Sequence, residues 1–170
     1  DYAAFLACLA RARADDPGVR VLAYCLMPDH WHLVLQPSRD GELATFMLRL
    51  TITHVRRWLE FHEQVGTGHV YRGRYKSFVC QDDHHFLNLC RYVERNAVRS
   101  NLVKKAEAWP WCSLAVRECS PSSGKSSGRS GGKSERPARR GPAVALPAIP
   151  LAPWPVPRPK DWPERVNAPE

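Results

Sequence analysis

The 170-residue chain is predicted to form one mixed α/β domain of the α+β kind, followed by a basic, proline-rich tail. Three observations carry this reading: apolar residues at helical spacing in three segments, two β-branched and aromatic runs between the first two of them, and a change of composition after Glu118. A domain of about 100 to 150 residues is the common size, so one core is the starting expectation.

Tyr2, Phe5, Leu6 and Leu9 recur at three and four residues, which predicts a helix from Asp1 that ends near Asp15, Asp16, Pro17 and Gly18. Val19, Val21, Leu22, Tyr24 and Leu26 then make a strand-like run stopped by Pro28, and an extended pattern resumes from His32 to Gln36 around Leu33, Val34 and Leu35. Met27, Pro28 and Asp29 would join the two as a hairpin. From Glu42 to about His62, Leu43, Phe46, Met47, Leu50, Ile52, Val55, Trp58 and Leu59 keep helical spacing, the longest such stretch.

Residues 69–80 alternate Arg72, Arg74 and Lys76 with Tyr71, Gly73 and Tyr75, a pattern for a strand or a loop leading into one, with the basic side chains on one face. Asp82 or Asp83 can cap a helix running to about Ser100, with a core stripe of Phe86, Leu89, Val93 and Ala97. A short helical turn carries Leu114 to Arg117. Pro121 to Arg140 holds almost nothing to bury, which predicts disorder, and Pro142 to Pro159 favours extended polyproline II. The domain reading is therefore 1–118 for the globular part, 119–141 for a disordered basic linker and 142–170 for a proline-rich end.

The net charge is +8, of which the first 118 residues carry +3 and the rest +5. A basic chain suits a polyanion, because phosphates neutralised by Lys or Arg release counterions. The six cysteines form no C-x-x-C pair, and Cys25, Cys80 and Cys90 lie in apolar runs, so they read as reduced packing residues. No apolar stretch approaches the roughly 20 residues that span a bilayer, and the opening helix lacks the pattern of a signal peptide; the expected compartment is cytoplasmic.

Side chains at i and i+2 of a strand share a face, so His30 and His32 can present two imidazoles together while Trp31 turns into apolar packing. Imidazole ligates divalent metals, and two nitrogens leave room for a third ligand and for substrate. By spacing alone the pair is either such a site or a coincidence. His84 with His85 and His54 with His62 share no strand face and read as surface or core residues. On the later helix, Tyr92 and Asn96 lie one turn apart with Arg95 and Arg99 alongside. Tyr92 is either a nucleophile offered to a cleft or a half-buried packing residue. Asn96 is either a third ligand or a helix-end cap.

Four blocks taken in order, Tyr24 to Leu35 with Met27-Pro-Asp-His30-Trp-His32 at its centre, Arg74-Tyr-Lys-Ser77, Arg91-Tyr92-Val-Glu-Arg-Asn96-Ala-Val-Arg99 and Trp109-Pro-Trp-Cys-Ser113, resemble the REP-associated tyrosine transposases, within the single-tyrosine HUH transposases of the IS200-like kind. The resemblance covers residues 1 to about 117, and Arg158-Pro-Lys-Asp-Trp162 with Val166-Asn167 is similar to the family's C-terminal region. It implies a ferredoxin-like antiparallel sheet with helices packed on one or both faces. It also implies His30 and His32, with Asn96 by position, as ligands of Mg2+ or Mn2+, and Tyr92 as the nucleophile.

The implied reaction cuts and rejoins single-stranded DNA beside a hairpin or palindromic element through a 5′-phosphotyrosine. Arg72, Arg74, Lys76, Arg95 and Arg99 are the expected DNA contacts. The protein would be a monomer or homodimer at the bacterial nucleoid, with no membrane partner. A non-catalytic module that grips hairpin DNA is the alternative, and a zinc-bound structural domain a third. The chain departs from the family in Asn96-Ala97, where an Asn-Pro pair is usual, which would lengthen the helix. Members also usually open with a strand before the first helix and extend beyond Val166, so the sequence reads as clipped at both ends, with reduced stability in a urea melt as the expectation.

Overall fold

The computed structural model describes residues 1–66, 68–119 and 149–169. The disorder expected for 121–140, the linker reading and the first part of the polyproline segment lie outside the described residues. The elements follow in the order α1 (Tyr2–Asp15), β1 (Val19–Leu26), β2 (Trp31–Pro37), α2 (Glu42–Phe61), α3 (Asp83–Arg99), α4 (Ser113–Cys119) and α5 (Trp162–Asn167), with a 3-10 turn at Ala106–Ala108. This is the mixed α/β class expected from the sequence, and the sheet is antiparallel as expected; among the described residues it has two strands.

β1 and β2 form a hairpin whose turn is closed by Met27 N–H donating to the His30 carbonyl (2.8 Å). The register breaks once, between Val21 and Ala23: Val21 pairs with Leu35 and Ala23 with Val34, leaving Leu22 without a partner. The extra residue inverts the alternation of β1. Val19 and Val21 before the bulge therefore share a face with Tyr24 and Leu26 after it, and these pack with Phe5, Leu6, Leu9, Phe46 and Leu50 of α1 and α2. The opposite face carries Ala23, Cys25 and Val34 against Phe86, Cys90, Val93 and Ala97 of α3, with Trp162 and Val166 of α5. The hairpin is thus a layer with a separate apolar cluster on each side.

The outer edge of β1 is covered by chain from far away. Leu26 N–H donates to the Trp111 carbonyl (3.0 Å), Tyr24 N–H to Ser113 Oγ (3.0 Å), and Ala152 N–H to the Val21 carbonyl (2.9 Å). An unpaired edge is a template for pairing with other chains, and these contacts remove that liability along β1.

Three sequence expectations change. Residues 69–80 contain no strand: the backbone is irregular and, after Tyr71, exposed, so alternation does not put Arg72, Arg74 and Lys76 on one face. The segment finds no ladder partner, and an unpaired run of basic residues gains nothing by becoming regular. Cys80 is exposed rather than packed, as are Phe78 and Val79, both 84% accessible. In α3, Leu89 is only half-buried, while Cys90, Glu94 and Asn96 join the buried stripe.

α3 is capped by Asp82, whose carboxylate accepts from the His85 N–H (2.7 Å), with Asp83 in the first turn. The helix continues through Ala97 to Arg99. Among the described residues no helix is long and apolar enough to cross a membrane.

Candidate functional site

The face of the hairpin that meets α3 carries the histidines. Trp31 points to the other side, where its ring lies 5.6 Å from Phe5. His32, opposite Cys25 in the ladder, therefore faces α3. His30 stands one residue before β2, in the turn rather than on the strand, yet the two imidazoles meet at 4.9 Å between ring centres and nearly at right angles.

From the helix side, Asn96 is buried and its Nδ2 lies 2.8 Å from His32 Nε2, a contact between residues 64 apart in sequence. Tyr92, one turn earlier, sets its ring edge-on to His32 at 5.7 Å and stays 43% exposed. The Arg99 guanidinium sits 5.4 Å from the centre of the Tyr92 ring. His30, His32, Tyr92 and Asn96 thus form one cluster, with Arg99 at its border.

The imidazoles are held in distinct ways. Asp29 Oδ1 lies 2.7 Å from His30 Nδ1, so the carboxylate accepts from that ring nitrogen and leaves Nε2 its lone pair. This is the arrangement that orients a metal-ligating histidine. The same contact holds the exposed Asp29 carboxyl below its usual range. Burial, then the neighbouring His30, push the His32 imidazole below its usual value, which favours the neutral ring. Two such rings and a side-chain amide form a donor set that suits a divalent cation with open positions.

The remaining residues singled out from the sequence are spread around this cluster. Arg72, Arg74 and Lys76 lie exposed on the irregular segment after Tyr71. Arg95 is half-buried on α3. Arg91 turns to α5, donating from Nε to the Arg165 carbonyl (2.7 Å) and from Nη2 to that of Ala168 (2.8 Å).

Sequence reasoning missed Glu94. Its side chain is fully buried between Tyr92 and Asn96 on the opposite flank of α3, accepting from Ser113 Oγ (2.6 Å) and Trp162 Nε1 (2.7 Å). An acidic residue inside an otherwise apolar helical stripe, followed by a Ser and a Trp on later segments, was the signal. Burial raises its carboxyl above the usual carboxylate range.

A Haemophilus influenzae protein, named provisionally as a REP-associated tyrosine transposase, is 25% identical over 101 residues, which covers 55% of this chain and 57% of that protein. The chain therefore spans a little over half the length of this relative. No solved structure matches it. The model of the family described as transposase IS200-like matches residues 3–96, a stretch that runs from α1 through the hairpin to Asn96 and so takes in all four clustered residues. With more than half of its length matched by that model, the chain belongs to the IS200-like transposase family.

Proposed function

We propose that the protein is a metal-dependent strand transferase that cuts and rejoins single-stranded DNA near hairpins, with Tyr92 as nucleophile. The observation that supports this most is the convergence of His32 from β2 with Asn96 and Tyr92 from α3, residues brought together only by the fold. His30, His32 and Asn96 would hold the cation, Mg2+ or Mn2+; rotating the Asn96 amide exchanges its nitrogen for its oxygen and turns a donor into a ligand. When bound, the cation would draw charge from the scissile phosphate and favour attack at phosphorus.

The chain's own residues do the rest. Tyr92 gives its hydroxyl proton to solvent, and its oxygen bonds to phosphorus as the P–O3′ bond breaks. The departing oxygen takes up a proton to become a free 3′-OH, and the 5′ side remains as phosphotyrosine. One phosphoester replaces another, so rejoining by a 3′-OH needs no external energy source. Arg99 places positive charge over the tyrosine ring as negative charge develops. Arg72, Arg74, Lys76 and Arg95 would hold neighbouring phosphates.

The test is incubation with an end-labelled single strand carrying a hairpin, in the presence of manganese. We expect a covalent protein–DNA adduct with the unaltered protein, none with Tyr92→Phe, and loss of at least about 100-fold in adduct rate with His32→Ala. Retained hairpin binding without any adduct would overturn the strand-transfer reading and leave a binding module.

A further inference from the structure

A cavity of about 260 Å³ opens at the turn of the hairpin, on the side of Trp31 rather than that of His32. Half of its lining is aromatic or imidazole, with Phe5, Trp31, His54, Trp58 and Tyr71 among it and His30 beside them; aliphatic side chains and the carboxylates of Asp1 and Asp29 complete it. The Phe5 ring stands 5.0 Å from that of His54, and the Tyr71 ring 6.3 Å from that of Trp31. The Tyr71 hydroxyl lies 2.7 Å from His54 Nδ1, which fixes both rings. Trp31, Trp58 and Tyr71 all remain partly exposed. A packing defect in a core would be closed; this one is open to solvent, with several flat aromatic faces and polar groups in its lining.

Its volume falls just below the roughly 300 Å³ at which sites for drug-sized ligands begin, so it suits a single ring system. Position supplies the rest. His30 belongs both to this cavity and to the histidine cluster, and the wall residue Tyr71 leads directly into the exposed cations Arg72, Arg74 and Lys76. A strand with a phosphate at the histidines would therefore have the cavity within reach through their shared residue, His30. We infer that the cavity takes one unstacked nucleobase of the DNA strand adjacent to the cut, which makes it a site for choosing where the strand is cut. The inference rests on the DNA-cutting reading of the neighbouring cluster.

It is tested on the labelled hairpin strand by replacing each nucleotide around the cut, one at a time, with an abasic analogue, and measuring both binding and adduct formation. Stacking of one base on aromatic side chains predicts that a single position weakens binding by about tenfold while its neighbours do little. Trp58→Ala should weaken binding of the intact strand by a similar factor and make that one abasic position silent. Adduct formation with an even abasic scan would overturn the cavity inference and leave the strand-transfer reading standing. So would a Trp58→Ala variant that weakens intact and abasic strands alike. Absence of both binding and adduct with the intact strand would remove both readings. The scan on the unaltered protein decides the matter by itself if Trp58→Ala does not fold.

Discussion

The carbonyl of Leu22, in the bulge of β1, accepts from Arg117 Nη2 (2.7 Å) and Trp154 Nε1 (3.0 Å). These bonds satisfy an oxygen that the broken ladder leaves without a strand partner. Because the bulge decides which residues of β1 face α3, two side chains from the C-terminal half help to set the side on which the hairpin meets the tyrosine helix. A second residue-scale feature is titratable. Burial lowers the His54 imidazole below its usual value, so the folded state prefers the neutral ring more than the unfolded chain does. The associated stability is fully present above the unfolded value of 6.5 and is lost as pH falls through it. Urea melts at pH 7.5 and 5.5 should show the unaltered protein losing stability on acidification, and His54→Gln losing less. The difference is bounded by about 1.4 kcal/mol per pH unit for one proton, and equal slopes in the two proteins would reject the assignment.

At the scale of elements, α3 is oriented by Glu94. The carboxyl accepts hydrogen bonds from the Ser113 hydroxyl at the start of α4 and from the Trp162 indole N–H at the start of α5, while Ser113 Oγ accepts from the Tyr24 N–H of β1. Three elements meet on this side chain and β1 joins through Ser113, and the rotation of α3 that they hold sends Tyr92 and Asn96 toward His32. Glu94→Ala strands the buried indole N–H and hydroxyl, and should cost about 3 kcal/mol in a urea melt. Glu94→Gln, which keeps an acceptor, should cost clearly less. An alanine variant within about 0.5 kcal/mol of the unaltered protein would show that packing, not this node, orients the helix.

At the scale of the molecule, the C-terminal residues are part of the domain. Trp162 and Val166 are buried with the α3 cluster, Trp154 packs edge-on to Trp162 at 4.9 Å, and Arg158 pairs with Glu118 at 2.7 Å. The sequence predicted extended polyproline II for Pro142 to Pro159; residues 149–161 form no helix or strand and lie along the edge of β1, and α5 closes the core. Trp162→Ala removes the largest fully buried side chain and should cost about 3 to 5 kcal/mol. Tryptophan fluorescence and far-ultraviolet circular dichroism should then shift to the same lower midpoint. Separate transitions would mean that this end folds independently of the hairpin.

The sequence by itself determined what local chemistry controls. The spacing of apolar residues marked α1, α2 and α3 to within a residue or two, Asp82 marked the start of α3, and the i, i+2 placement of His30 and His32 put Trp31 on the far side of the strand. Tyr92 and Asn96 were legible as neighbours one turn apart, because helix geometry is set by the backbone. The tertiary structure alone decided that this turn of helix faces His32, that Leu22 bulges, that Glu94 is buried, and that residues 69–80 stay irregular. Each of these depends on a partner tens of residues away, and whether a carboxyl, a carbonyl or an extended run is stable depends on whether that partner arrives. A local pattern carries no information about that. The same holds for the cavity beside His30, whose walls come from α1, the hairpin, α2 and the segment after α2, and which no single stretch of sequence displays.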